Sequence, residues 1–220
     1  MIYFNMHTHR QEIRQDEIAI VSVNVRKPFE LCKSIPIFYS IGVHPWYIDS
    51  NDYEATNKLL DIARQFAHNP EIVAIGETGL DKTTAKSVND FSFQREFFIA
   101  HARLSEEVKK PLIIHCVKAW NDLLHFHQSI KPSMPWIIHG FRGKTTLANQ
   151  LLNAGFYLSF SIHYNIDSLK AAWVKHRLFV ETDDKDVDIR DVYQQVANDL
   201  AVSIQDLSEE IQVLRLQMLK

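Results

Sequence analysis

Cysteine is scarce in this sequence, and long apolar runs and an excess of basic residues are absent. The only two cysteines, Cys32 and Cys116, are far apart in apolar surroundings, which favours reduced, packed thiols over a disulfide or a zinc knot. No run reaches the roughly 18 apolar residues of a membrane-spanning helix, and the N-terminus lacks the layout of a signal peptide. We therefore expect a soluble, cytoplasmic protein that does not span a membrane.

Charge and size limit the remaining classes. The 24 basic and 27 acidic residues give a net charge of -3, so the whole molecule does not attract nucleic acid, and any such affinity must be local. A chain of 220 residues with 46% hydrophobic content is long enough for one sizeable core. With no repeat, linker or low-complexity segment visible, we expect a single domain over residues 1–220, with a monomer favoured.

Short β-like runs alternate with longer segments of helical period, which is typical of repeated βα units and a parallel sheet. The eight predicted strands are 2–6, 18–23, 38–43, 72–76, 112–114, 136–138, 156–160 and 178–180. Helices are predicted at 52–68, 90–110, 144–154 and 168–176, and a last helix carries apolar residues at three- and four-residue steps from Ile204 to Met218. We expect that last helix to pack on the sheet; a dimer contact is the alternative.

Eight strands with intervening helices predict an α/β fold of the (β/α)8 TIM barrel class. The chain is short for that fold, so some outer element must be reduced. Too few residues separate the first two strands for a helix and its loops, so we expect that helix to be missing or reduced to a turn.

Residues of metal-ligand type end several of the predicted strands. His7 and His9, two positions apart on one strand, project to the same side and can hold one ion together. Four further runs end in Glu77, His115, His139 and Asp183. Barrel enzymes carry their sites at the carboxyl ends of the strands, and buried polar groups without a shared purpose would be costly. The sequence therefore predicts a metal centre built from these six residues.

The types of ligand restrict the metal only partly. Imidazole with carboxylate suits zinc, iron, cobalt, nickel or manganese, and no thiolate is among the six. Because six ligands exceed the needs of one catalytic zinc, and because the two oxygens of Glu77 could bridge ions about 4 Å apart, we expect two divalent ions, with magnesium, manganese and zinc as candidates. Two divalent cations outweigh the charges of two ligand carboxylates and one bound hydroxide, and this net positive charge suits an anionic phosphate.

Candidate substrate contacts lie in the loops that follow the strands. Basic and aromatic side chains there could engage phosphates and stack on bases. The candidates are His44, Trp46, Arg142 and Lys144. Packed or solvated loop residues are the alternative for each, and for His163 that alternative is preferred.

These residues stand in motifs that resemble the TatD family of metal-dependent deoxyribonucleases, a branch of the amidohydrolase superfamily. The resemblance runs in order through most of the chain. It is carried by His7 and His9 and by residues 42–45 (GVHP), 75–81 (IGETGLD), 93–94 (FQ), 111–115 (PLIIH), 139–143 (HGFRG), 155–159 (GFYLS) and 181–183 (ETD). The GETGLD and ETD elements are the more specific ones.

The resemblance implies a role for each matched residue. His7, His9, Glu77 and Asp183 would be ligands, His115 and His139 would complete a two-metal centre, and Asp183 would also hold or deprotonate the attacking water. The sequence departs from the family at Asn5, where many relatives have aspartate. It departs again after Asp183, where it reads DKDVD in place of a loop with proline, arginine and asparagine. The second departure bears on the grip on a long nucleic acid.

Three functions fit the sequence. The leading one is a phosphodiesterase or deoxyribonuclease that acts on DNA ends or short strands with a water activated by two metal ions, with Asp183 and Glu77 as catalytic residues. The second is an amidohydrolase that cleaves a C–N or ester bond of a small metabolite with the same hydroxide. The third is a metal-binding scaffold without catalysis.

Overall fold

The computed structural model describes residues 1–31 and 37–219. Cys32, predicted to be a packed thiol, lies outside the described residues, whereas Cys116 is free and buried as predicted. The described chain divides into two compact units, which we call unit 1 (residues 1–21, 37–38 and 137–219) and unit 2 (residues 22–31 and 39–136). The expectation of one domain over residues 1–220 stays a prediction.

Eight strands form one sheet in which the spatial order follows the chain. The strands are β1 (Tyr3–Thr8), β2 (Glu17–Asn24), β3 (Ile37–Gly42), β4 (Ile72–Asp81), β5 (Leu112–Val117), β6 (Trp136–Ile138), β7 (Tyr157–Phe160) and β8 (Leu178–Val180). The pairings within each unit are parallel, and a bridge from Thr8 to Asp183 returns the end of β8 to β1. The predicted (β/α)8 class is confirmed.

Seven helices are present among the described residues. They are α1 (Tyr53–Ala67), α2 (Val88–Val108), α3 (Trp120–Ile130), α4 (Thr145–Ala154), α5 (Ile166–Val174), α6 (Ile189–Leu200) and α7 (Ile204–Met218). No helix occupies residues 9–16 between β1 and β2, as predicted, and the described part of the next connection, residues 25–31, has none either. None of the described helices is long and apolar enough to cross a membrane.

Two helices, α3 and α6, were not predicted from the sequence. Helix α3 begins without a side-chain cap, and polar residues and histidines interrupt its apolar pattern. Helix α6 carried the clearer signal, because Asp188 caps its first turn and Val192 and Val196 repeat at helical spacing on the buried face. Residues 183–188 (DDKDVD), which precede α6, made its first residue hard to recognise from the sequence.

Helices α6 and α7 hold β1 in place within unit 1. The buried Tyr193 hydroxyl of α6 accepts the N–H of Phe4 at 3.0 Å and donates to the carbonyl of Phe4 at 3.1 Å. From α7, the hydroxyl of Ser208 donates to the carbonyl of Ile2 at 3.0 Å, and Leu207 and Ile211 are buried. Helix α7 therefore packs on the sheet as predicted, and α6 and α7 together hold the backbone at the start of β1, the strand that carries His7.

Strands β4 and β5 run further than predicted, so Glu77 and His115 lie inside strands and not at their ends. The pairing continues beyond Glu77, with Gly79 opposite His115. Gly79 permits this close approach because its φ is +155° and a Cβ there would overlap the carbonyl oxygen of His115.

Replacing Gly79 with alanine should lower the free energy of unfolding by about 3 kcal/mol or more, because the added methyl forces β4 away from β5. Gly140→Ala is the matched control: its φ is +56°, but the nearest atom to a Cβ is Glu181 Oε1 at 3.7 Å. We expect that control to lose only the left-handed backbone cost of about 1–2 kcal/mol. Urea unfolding followed by circular dichroism measures both, and equal losses would contradict the steric argument.

Candidate metal centre

In unit 1, three predicted ligands meet at the carboxyl end of β1. The Nε2 atoms of His7 and His9 each lie 3.7 Å from Oδ1 of Asp183. The centroids of the two imidazole rings are 5.0 Å apart, and the ring planes are nearly perpendicular. His7 is buried and His9 is partly exposed, so the group lies between the interior and solvent.

The backbone explains why Asp183 reaches the histidine pair. Its N–H donates to the carbonyl of His7 at 3.0 Å, and its carbonyl accepts the N–H of His9 at 3.1 Å. The φ of Asp183 is 54°, in the left-handed region that aspartate tolerates better than most residues. The carboxylate is therefore attached to the two histidines by main-chain hydrogen bonds that do not depend on a metal.

His139, at the end of β6, lies beside this group and brings with it a buried carboxylate. Its ring centroid is 4.5 Å from that of His7, and its Nδ1 lies 3.4 Å from Oε1 of Glu181. The same oxygen accepts the N–H of Gly140 at 2.7 Å. Burial raises the pKa of Glu181, but its interactions with His139, His7 and Ser159 together outweigh burial and hold the pKa below its ordinary value.

Glu181 was missed as a functional candidate, although it stands in the ETD motif. Ligand-type atoms of His139, Glu181 and Asp183 lie within 4.8 Å of one another, and the same holds for His7, His9 and Asp183. Unit 1 therefore gathers four of the six predicted ligands and adds a carboxylate that orients one of them.

A second cluster lies in unit 2 and contains the other two predicted ligands. Oε1 of Glu77 lies 3.0 Å from Nε2 of His44 and 3.2 Å from Nδ1 of His115. Donor atoms of these three residues are within 4.8 Å of one another. His44, predicted to be a substrate contact, therefore stands in a group that can itself hold a metal.

Asp81 supports the unit 2 cluster and was also missed. Its Oδ2 lies 3.4 Å from Nε2 of His115 and accepts the indole N–H of Trp46 at 2.7 Å, while Oδ1 accepts the N–H and hydroxyl of Thr83. Burial raises the pKa of Asp81, but the hydrogen bonds from Thr83 and Trp46 and the electrostatic interaction with His115 together outweigh burial and lower the pKa. Asp81 is therefore an anion that can orient a ligating imidazole.

A third missed residue, His101 of α2, lies behind the cluster. Its Nε2 accepts the N–H of Val43 at 3.0 Å, and its Nδ1 lies 2.7 Å from the carbonyl of Phe97, so the ring is the neutral Nδ1–H tautomer. Complete burial lowers its pKa to about 4; the hydrogen bond to Phe97 opposes this shift, and the charge of Arg64 adds to it. In the sequence, the position of His101 within the apolar spacing of α2 indicates only a core residue.

The other predicted substrate contacts are not members of either cluster. Trp46 lies beside the unit 2 cluster and is 61% exposed. Arg142 and Lys144 are exposed in the segment between β6 and α4, and His163 is exposed after β7. The structure does not bring Arg142 or Lys144 into hydrogen-bonding contact with either cluster among the described residues.

Known proteins share the sequence pattern and the fold of this chain. Residues 10–213 match the family described as TatD related DNase. The chain belongs to the TatD family. A metal-dependent hydrolase of Buchnera aphidicola (strain Bp) is 30% identical over 202 residues, which are 82% of this chain and 72% of that protein. The metal-dependent hydrolase YcfH of Escherichia coli K12 is 35% identical over 156 residues, 67% of this chain and 55% of YcfH.

A more distant human relative, named the 3'-5' RNA nuclease TATDN2, is 28% identical over 165 residues, which are 70% of this chain and 21% of the human protein. This TatD chain thus spans between about half and three quarters of the bacterial relatives it matches.

Among solved structures, a TatD family hydrolase from Entamoeba histolytica superimposes with a TM-score of 0.79 at 17% identity, covering 99% of this chain and 98% of the other. The TatD homolog YJJV of Escherichia coli gives the same TM-score at 14% identity, covering 99% and 97%. At these identities the likeness shows the fold.

His101 should make the stability of this TatD protein fall in mild acid. Its pKa is about 4 in the folded protein and about 6.5 when unfolded, so the unfolded state binds the proton first and stability is lost as pH falls from about 6.5 towards 4. His101→Gln, which can still accept from Val43, should therefore lose about 2 kcal/mol less than wild type between pH 7 and pH 5 in urea unfolding.

The exposed His125 provides the control for this experiment. His125→Gln should keep the acid sensitivity of the wild type. If His101→Gln kept it too, the neutral, buried state of His101 would be wrong.

Proposed function

We propose that this TatD protein is a metal-dependent phosphodiesterase that cleaves nucleic acid at DNA ends or in short strands with two divalent cations, of which magnesium, manganese and zinc are the candidates. The observation that carries this is the presence of a histidine–carboxylate cluster in each unit, built from residues that end or follow β1, β3, β6 and β8 or lie in β4 and β5. The cytoplasmic location and the monomeric state stay predictions.

The residues present fit divalent cations. Each cluster combines imidazole nitrogens with a carboxylate, the mixture that zinc and manganese accept, and no thiolate takes part. In unit 1, His7, His9, His139 and Asp183 would hold a cation. In unit 2, Glu77 and His115 would, while His44, whose Nδ1 accepts the N–H of Trp46, directs its Nε2–H at Glu77. A divalent cation at such a site supplies Lewis acidity and lowers the pKa of a bound water.

The chain's own groups would divide the remaining work. The carboxylate of Asp183 is partly exposed and fixed by its backbone, so it can orient a water and accept its proton at a carboxylate oxygen. Glu181 lies beside Nδ1 of His139, and Asp81 lies beside Nε2 of His115. This leaves Nε2 of His139 and Nδ1 of His115 to face a cation.

The relatives support nucleic acid as the substrate class without deciding between DNA and RNA. The matched family is described as TatD related DNase, whereas the human relative is named as an RNA nuclease. Both polymers present the same phosphodiester to a metal centre. We propose DNA and include RNA in the assay.

The test is nucleotide release from end-labelled DNA and RNA strands, with chelated protein reconstituted with magnesium, manganese or zinc. We expect metal-dependent cleavage. Asp183→Asn and Glu77→Ala should each lose about a hundredfold or more, because loss of groups that merely orient ligands already costs about 10–100-fold.

Matched controls separate this loss from nonspecific effects. Asp184→Asn changes the neighbouring exposed carboxylate, which pairs with Lys185, and Glu107→Ala changes an exposed glutamate of α2; both should stay near wild type. Metal analysis should give two ions per wild-type chain. Hydrolysis of amides or lactones with no cleavage of any phosphodiester would replace this function with that of an amidohydrolase.

A further inference from the structure

Trp46 stands out among the large apolar side chains that are exposed. Trp46 is 61% exposed, yet hydrogen bonds hold the 3-10 turn Pro45–Tyr47 that carries it. The backbone N–H of Trp46 donates to Nδ1 of His44 at 3.1 Å, and its indole N–H donates to Oδ2 of Asp81 at 2.7 Å. An exposed aromatic residue fixed at both backbone and ring edge is not an ordinary mobile surface residue.

The fixed ring lies beside the unit 2 cluster. The centroid of Trp46 is 4.9 Å from that of His44 and 6.1 Å from that of His115, and both imidazoles meet it nearly at right angles. With both neighbours in edge-to-face contact, Trp46 as a whole remains largely exposed. Exposed surface of the Trp46 ring therefore lies next to His44, whose Nε2 is 3.0 Å from Oε1 of Glu77.

The chemistry of this surface selects its ligand. A rigid indole loses little conformational entropy when a planar group stacks on it, and base–aromatic stacking contributes to binding without requiring one particular base. Next to a site that takes a phosphodiester, the planar group within reach is the base joined to that phosphate through its sugar.

We propose that Trp46 is a base-stacking platform that binds the nucleobase next to the cleaved phosphate and so makes the enzyme prefer nucleotides over other phosphate esters. This rests on the proposed phosphodiesterase function. Asp81 is a positioning residue here, because its Oδ2 fixes the indole edge and faces His115 at the same time.

The test compares binding of 2'-deoxyadenosine 5'-phosphate with binding of 2-deoxyribose 5-phosphate, which carries the same phosphate and no base. Magnesium-loaded protein is titrated by calorimetry and by tryptophan fluorescence excited at 295 nm. We expect wild type to bind the nucleotide about tenfold more tightly or better, the range expected for one stacked base. Trp46→Leu should abolish that preference while leaving the affinity for the sugar phosphate unchanged within about twofold.

Two further variants show whether the ring itself is responsible. Trp46→Phe keeps an aromatic face but cannot donate to Asp81, so it should retain part of the preference. Tyr53→Leu removes another exposed aromatic ring of unit 2, 55% accessible and packed edge-on against Phe93, and should leave the preference intact. Urea unfolding of each variant confirms that it folds.

The outcomes distinguish this inference from the proposed function. Equal binding of the two ligands by wild type, or a preference that survives in Trp46→Leu, overturns the stacking platform even if the protein hydrolyses DNA. A preference that depends on Trp46 in a protein that cleaves no phosphodiester leaves the platform standing and removes the hydrolytic function.

Discussion

The unit 1 cluster depends on one short stretch of parallel backbone pairing, in which Asp183 bridges His7 and His9 by two main-chain hydrogen bonds. Main-chain donors and acceptors buried away from water need partners, so this pairing is costly to break. It brings a carboxylate to two imidazoles whatever their rotamers. The Tyr193 hydroxyl is hydrogen-bonded to the backbone of β1, and the carboxylate of Glu181 lies beside His139, so the donor atoms are preorganised.

Unit 2 reaches a similar result by different means. Its cluster depends on the close approach of β4 to β5, which the glycine opposite His115 permits, and on side chains that hold other side chains. Asp81 holds His115 and Trp46, while His101 holds the backbone just before His44. The supporting residues are buried and satisfied by hydrogen bonds, which is the condition under which polar groups can be tolerated there.

Much of the fold could be predicted because its signals are local. Apolar runs bounded by polar residues identified all eight strands, and β6 and β8 have the predicted bounds. The ends of β4 and β5 could not be predicted, because they depend on what a glycine meets across the sheet. Glu181, Asp81 and His101 were missed for a related reason: their roles come from burial beside particular partners, and sequence spacing does not reveal burial of a polar group.

The separations along the chain give the two clusters different histories during synthesis. All residues of the unit 2 cluster lie between His44 and His115, so they are present once synthesis has reached residue 115. Asp183 pairs with residues about 175 positions earlier, so His7 and His9 gain this carboxylate only after synthesis has reached residue 183. A chain that stopped before residue 139 would therefore carry every residue of the unit 2 cluster but would lack His139 and Asp183 of the unit 1 cluster.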